Sequence, residues 1–499
     1  MRVMAEAEES SRPDPGVRRL GIVAVALAVA VFVAYGAHAA VLLLYPWDWS
    51  PDDGLALDYA RRLVEDPVTL YPPDSSVPFP AVWGPLLPVV LAPAVRLPGS
   101  PLLLARLIAV LWTVAVSAAV YAAVRRRAPA PLALAASALS LAPQGMTFWY
   151  MLLRVDGLMV ALWAWSAVTL LPTRLAAGGG RLSWPRAVAG AALLVAAALS
   201  KPTAIVHGAP LVLAWFFVDR ASAVRLVGAL AGLGGAALVA LEMATGGGFL
   251  FAQRFWATHA IRPAQLVLIL LLFGREAAGL LAVCAASAAL ALRQGRAAAL
   301  DAALPMALGG LLAVPALAKY GAWHNYLLPL VCAFAVLTGR WLAAWAGAHG
   351  GARRPPAAAL ALAGTAAVIA VSSTFPLPAR GDEERGRAFY DTVRGIGAPI
   401  LAFRPEYAYY VVGQPTEVEG SGFRYLLAAG VPGTDLILQR IAERHYHAIM
   451  YFPGLWSLPP AVLELMHQHY VLHRQFELGY FYGRTPCVIL VPRSRNGTP

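Results

Sequence analysis

The residues with chemistry to offer are few, and they sit in short polar turns between long apolar runs. Ser50-Pro51-Asp52-Asp53 sets two adjacent carboxylates at the head of an amphipathic stretch whose apolar face is Leu55, Tyr59 and Leu63. Ser50 suits an N-cap, Pro51 the first helical position, and Asp53 the return contact of a capping box. That accounts for Asp53 and leaves Asp52 over, as a carboxylate able to take a proton from a hydroxyl at a membrane surface. Helix start and general base both stand on spacing alone. Arg154-Val155-Asp156 is a second polar turn. It reads either as a helix cap beside an interfacial arginine, or as a guanidinium gripping a phosphate through paired donors while Asp156 orients it or a sugar.

Only two of the 39 basic residues are lysines. Lys201 lies in Ser200-Lys201-Pro202-Thr203, and Lys319 opens Lys319-Tyr320-Gly321-Ala322-Trp323-His324-Asn325-Tyr326. A lysine at a helix end ordinarily snorkels to the interface. In a chain that uses arginine almost everywhere else, two ammonium groups kept in polar turns are also candidates for holding an anion. His259 and Arg262 add a weaker pair in a loop over 243–264, although a lone interfacial histidine is ordinarily structural.

Composition says what must position these groups. Of 499 residues, 59% are hydrophobic and 13% charged, against about 25% charged in a soluble domain. Uncharged apolar runs of about 16 to 25 residues recur through the first three quarters, the length that crosses a hydrocarbon layer of about 30 Å. A soluble globular enzyme, a disordered chain and a nucleic-acid binder are thereby excluded. The balance of 39 basic and 27 acidic residues, +12, reflects topology before it reflects an anionic partner, because basic residues gather in cytoplasmic loops. The arginine, alanine, glycine and proline bias fits a GC-rich bacterial genome. Cys284, Cys332 and Cys487 are too few and too dispersed for a disulfide framework or a metal site.

The pattern predicts a polytopic α-helical membrane protein of about eleven spans with a small extracytoplasmic α/β domain. Residues 1–19 read as a disordered cytoplasmic tail, 20–373 as the membrane domain with a long polar outer loop at 45–83, and 374–499 as the α/β domain. Gly84–Leu97 carries Pro85, Pro88 and Pro93 and is too short and broken to cross. Treating it as non-crossing places Arg125, Arg126 and Arg127 inside, and every later inner loop then carries arginine. The expected spans are 20–44, 101–124, 129–149, 157–172, 184–200, 203–218, 224–242, one ending at Arg293, 301–318, 325–345 and 356–373. Beyond Thr374, strands at 399–403, 448–452 and 487–491 alternate with helices at 385–394, 434–444 and 460–469. No Asp-x-Asp, phosphate-binding loop, His-Glu-x-x-His or internal repeat occurs. Mid-span positions are almost free of ionisable groups, whereas ion-coupled carriers usually bury some there.

Together these residues resemble the C-type glycosyltransferase superfamily, polytopic enzymes that use polyprenyl-phosphate sugars and include protein O-mannosyltransferases and the lipid A aminoarabinose transferase. The resemblance covers roughly residues 20–345. It rests on Asp52-Asp53, where the family often has Asp-Glu, followed by Tyr59-Ala60-Arg61, Leu70-Tyr71 and Trp83-Gly84-Pro85-Leu86-Leu87-Pro88, then Arg154 with Asp156, and finally His324-Asn325-Tyr326. It implies an inverting single displacement at the outer face of the cell membrane. Asp52, with Asp53 beside it, would deprotonate the acceptor hydroxyl of a glycan, lipid or protein. Arg154, Asp156, Lys201, His259, Arg262, Lys319, His324, Asn325 and Tyr326 would hold the donor's phosphate and sugar, the cations stabilising charge on the leaving phosphate. The partners implied are the polyprenyl-phosphate sugar, the acceptor and the bilayer, with no nucleic acid. No cofactor is required, and a divalent cation stays open. The alternative, a flippase or carrier for the lipid-linked sugar, would line a path to both faces; here the polar groups gather at one.

Overall fold

The computed structural model describes residues 15–493 apart from 75–77, 172–180, 257–260, 296–300, 320–321, 349–353, 419–421, 432, 454–457 and 482. Helix α1 (Pro15–Leu44) begins within the expected tail; α2 (Pro51–Glu65) and α3 (Leu86–Arg96) follow it. Then come α4 (Pro101–Arg125), α5 (Ala130–Leu139) and α6 (Val155–Leu170). The chain continues through α7 (Trp184–Ser200), α8 (Ala204–Val218), α9 (Arg220–Ala244) and α10 (Gly248–Phe255). The helical part closes with α11 (Pro263–Glu276), α12 (Ala278–Arg293), α13 (Leu304–Leu312), α14 (Leu328–Ala348) and α15 (Arg354–Ser372).

Among the described residues, 5 helices are long and apolar enough to cross a membrane, or up to 7 if each of two bent pairs counts as one span. The chain is thus a multi-pass membrane protein. The expected set of about eleven spans is met in part, since Trp184–Ser200 and Ala204–Val218 are apolar but shorter. Helix α3 has only 11 residues, in keeping with a segment too short to cross. The run 129–149 is not one span: α5 stops after 10 residues, because Pro143 offers no N–H and disfavours helical geometry at Ala142. The chain then makes a turn at Gln144–Thr147 and a 3-10 turn at Phe148–Tyr150, and meets α6 at 90°. Likewise 301–318 divides into α13 and a 3-10 segment, Val314–Ala318, that contains Pro315. The loop 243–264 is partly helical, as α10.

The first polar loop is an ordered layer. Leu55, Tyr59 and Ala60 of α2 are buried, and the buried Arg62 guanidinium donates to the carbonyls of Phe79, at 3.3 Å, and Thr69. Tyr71 donates to the Trp83 carbonyl at 2.5 Å. These bonds fold the loop back on itself and bring Trp83-Gly84 against the end of α7. A Cβ on Gly84 would lie 1.9 Å from the Leu199 carbonyl oxygen, so glycine permits the approach.

The C-terminal unit contains α16 (Asp382–Ile396), β1 (Ile400–Ala402), α17 (Tyr407–Val411), α18 (Phe423–Ala428), α19 (Thr434–Ala442), β2 (Ala448–Tyr451), α20 (Pro460–His469), β3 (Tyr470–Tyr480) and β4 (Gly483–Pro492). The sheet order is β1-β2-β4-β3, with β1 parallel to β2 and the other pairs antiparallel. Strand β3, absent from the sequence expectation, pairs Phe476 with Cys487. Its polar run His473-Arg474-Gln475 hides the alternation that would have marked it. The unit docks on the first loop: Tyr390 and Tyr480 donate to Asp48, the latter at 3.2 Å, and the Thr416 amide donates to Asp58 at 3.1 Å.

Candidate active site

Stretches far apart in sequence converge at the head of α2. Ser50 caps the helix, and a capping box with Asp53 is present. Asp53 is fully committed. Its Oδ2 accepts from the amides of Trp49 at 3.0 Å and Ser50 at 3.3 Å and from Arg106 at 3.0 Å, while Oδ1 accepts from the Leu153 amide at 3.2 Å. Arg106 also donates to the carbonyls of Leu42 at 2.9 Å and Trp47 at 2.7 Å, so it pins the end of α1 as well.

Asp52, one residue earlier, faces the other way. Its Oδ2 is ion-paired with Arg154 and accepts from the Ser50 hydroxyl at 3.4 Å. The Arg154 Nε reaches Asp156 Oδ2 at 3.3 Å, and Lys201 Nζ reaches Asp156 Oδ1 at 2.5 Å. The result is an alternating row, Asp52–Arg154–Asp156–Lys201, in which acid and base neutralise one another in a buried setting. Aromatic faces hold the cations laterally: Arg154 lies 5.1 Å from the Trp149 ring centre and 5.9 Å from that of Trp83, and the Lys201 ammonium sits 3.4 Å from the Tyr326 ring centre. Breaking the helix at Pro143 is what swings Trp149 and Arg154 into this row.

His324 receives the Trp149 indole N–H on Nε2 at 2.5 Å, so in this arrangement a neutral ring carries its proton on Nδ1. His324 Nδ1 and both side-chain polar atoms of Asn325 complete no hydrogen bond within the protein, although Asn325 lies beside Asp156. Buried polar atoms left over in this way are suited to a ligand's hydroxyls. Among the described residues no group of three or more His, Cys, Asp or Glu converges on a point able to hold a metal.

No protein-family model matches the sequence, and neither does any curated protein. Solved structures do match. ArnT from Cupriavidus metallidurans bound to undecaprenyl phosphate superposes with a TM-score of 0.59 at 13% identity over 96% of this chain and 99% of that one. Its apo form gives 0.58 at 14% identity, over 92% and 97%. The apo oligosaccharyltransferase of Archaeoglobus fulgidus gives 0.53 at 13% identity, over 91% of this chain and 73% of that one. The chain shares the fold of ArnT and of the archaeal oligosaccharyltransferase.

Within that fold the residues expected from sequence do not all meet. Asp52, Arg154, Asp156, Lys201 and Tyr326 join in one row, with His324 and Asn325 at its edge. Lys319 does not join it. Its ammonium rests on the Trp256 carbonyl at 3.4 Å, because its backbone pairs with Ile261 and the neighbouring Arg262 amide donates to the Ala318 carbonyl at 2.6 Å. The Arg262 side chain is exposed. His259 lies outside the described residues. Sequence reasoning missed Trp149 and Arg106, and above all Arg404, whose Nη1 stands 3.5 Å from Asp52 Oδ1 across 352 residues of chain. No local signal marks Arg404; its flanks read as an ordinary strand end.

Proposed function

We propose that this protein transfers a sugar from a polyprenyl-phosphate donor to an acceptor hydroxyl at the outer face of the cell membrane, with inversion. The observation that carries the reading is the buried Asp52–Arg154–Asp156–Lys201 row, set in a fold shared with a protein solved in complex with undecaprenyl phosphate. Asp52 takes the proton of the acceptor hydroxyl. The acceptor oxygen bonds to the anomeric carbon as the carbon–oxygen bond to phosphate breaks, and the lipid phosphate leaves with that electron pair. Arg154 and Lys201 then face growing negative charge in a site shielded from water, where fixed cations act most strongly. Asp53 belongs to the scaffold: the cap, Arg106 and Leu153 consume both of its oxygens. Asn325 and His324 Nδ1 offer hydrogen bonds to sugar hydroxyls, and Asp156 orients the two cations. Arg262 and Lys319 are adjacent across the Ile261–Lys319 bridge and stand apart from this row. The C-terminal unit lies with the first loop on the outer side and helps to bind the acceptor.

The test is transfer in purified membranes with a panel of labelled polyprenyl-phosphate sugars. Label should move to an acceptor in wild type and not in Asp52→Asn. Donor that crosses the bilayer and is recovered intact would overturn the reading in favour of a carrier.

A further inference from the structure

Arg404 reaches this site from the C-terminal unit. The chain leaves β1 at Ala402, the Phe403 amide is still held by the Met450 carbonyl at 2.9 Å, and Arg404 follows at once. Its guanidinium lies between two carboxylates, with Nη1 at 3.5 Å from Asp52 Oδ1 and 3.3 Å from Glu406 Oε2. Arg404 is 5% exposed and Glu406 0%. The placement is enforced by backbone packing. A Cβ on Gly54, two residues after Asp52, would stand 2.2 Å from the Tyr407 amide nitrogen and 2.7 Å from the Glu406 carbonyl carbon. Only glycine lets the first turn of α2 press directly against the segment that carries Arg404.

Asp52 is therefore held from both sides, Oδ2 by Arg154 and Oδ1 by Arg404. The two guanidiniums differ in what else they face. Arg154 also meets Asp156 and two indole rings, in the row that receives the donor phosphate. Arg404 is backed by Glu406, which offsets its charge and keeps it from following an incoming anion. Asp53, on the same turn as Asp52, is already matched by Arg106. A phosphate that draws Arg154 toward itself would leave Asp52 beside a new negative charge, and would raise its affinity for a proton before the acceptor arrives.

We infer that Arg404 is a positioning residue of the transfer reaction, supplied by the C-terminal unit to hold Asp52 in place and ionised while the donor phosphate occupies Arg154. This role rests on the transferase reading proposed above; the Arg404–Asp52 pairing does not. An opposite charge within about 4–6 Å lowers a carboxyl's proton affinity by about 1–3 pH units. Loss of Arg404 should therefore move the acid limb of the rate profile upward.

Two measurements on the purified full-length protein test this. The first is a double-mutant cycle in melting temperature with Asp52→Asn, Arg404→Gln and both together. The shifts should be non-additive, since the second change removes a contact already lost. The second is transfer rate against pH. Arg404→Gln should raise the acid limb by about one pH unit and so lower kcat about tenfold at pH values below that limb, with donor KM within about twofold. Arg404→Lys should restore most of the limb. Arg404→Gln/Glu406→Gln removes both charges, so it serves in place of Arg404→Gln if the latter fails to fold. Gly54→Ala, which pushes the segment off α2, should shift the limb in the same direction with Arg404 intact. Additive melting shifts with an unmoved acid limb overturn the inference. So does a raised donor KM at unchanged kcat, which would make Arg404 a donor-binding group. Non-additive melting in a wild type that transfers no sugar from any lipid phosphate overturns the transferase reading and the positioning role with it, while the ion pair stands.

Discussion

Asp52→Asn and Asp53→Asn are nearly the same change at neighbouring positions, and the structure gives them opposite outcomes. Asp53 is 1% exposed and Arg106 2% by side chain, at 3.0 Å. An amide at 53 leaves that guanidinium buried without its counter-charge, a loss of about 3–5 kcal/mol. The cap contact adds about 1 kcal/mol more. The sum approaches the whole stability of many domains, about 5–15 kcal/mol, so Asp53→Asn should give little folded protein. Asp52 is 6% exposed, and each of its two guanidinium partners keeps a second carboxylate, Asp156 for Arg154 and Glu406 for Arg404. Asparagine there keeps the hydrogen bonds to Ser50 and Arg154 available and removes the proton acceptor. The expected loss is about 10²–10⁴ in turnover with a melting temperature near that of wild type. The assay compares folded yield and melting temperature with sugar transfer for both variants in the same detergent. Near-normal turnover in Asp52→Asn, or a well-folded and inactive Asp53→Asn, would refute the division of labour.

Lys201→Gln should destabilise the protein, because Asp156 is 0% exposed and loses its 2.5 Å partner. Lys201→Gln/Asp156→Asn should recover the melting temperature and stay inactive, and recovery of transfer would refute a role in charge stabilisation. Burial pushes the Asp48 carboxyl up to about 7, against the pull of its hydrogen bonds from Tyr390 and Tyr480. Between its unfolded value of about 4 and about 7 the folded state retains a proton that the unfolded state has lost, so melting temperature should fall as pH rises through that window. Asp48→Asn should flatten the slope, and a melting temperature that rises over the same window would refute the argument. Sided labelling of Arg126→Cys, in a chain with Cys284, Cys332 and Cys487 replaced by serine, should report the cytoplasm, and the same labelling at Glu383→Cys the outside. Label at 126 from outside would invert the topology.

Much of the architecture is legible along the chain because it depends on local pattern. Long apolar runs, Ser50 with Pro51 and Asp53, and the short α3 follow from composition and periodicity, and the structure reproduces each. The breaks are legible in principle, since Pro143 and Pro315 sit inside continuous apolar runs. Hydrophobicity alone makes each run look like a whole span, and the missing proline N–H breaks it. What remained out of reach is the set of partners. Nothing near Asp53 points to Arg106, nothing near Asp52 points to Arg404, and Lys319 looks as promising as Lys201 until the Ile261 bridge turns its ammonium toward a carbonyl. A charge declares its type in sequence. Which opposite charge it meets is decided by helix packing and domain docking that bring residues together across hundreds of positions. The exclusion of water then makes that choice energetically decisive, because a buried ion without its partner is far more costly than an exposed one. The capping pattern already sets Asp53 apart from Asp52 along the chain; tertiary structure alone supplied their partners, Arg106 and Arg404.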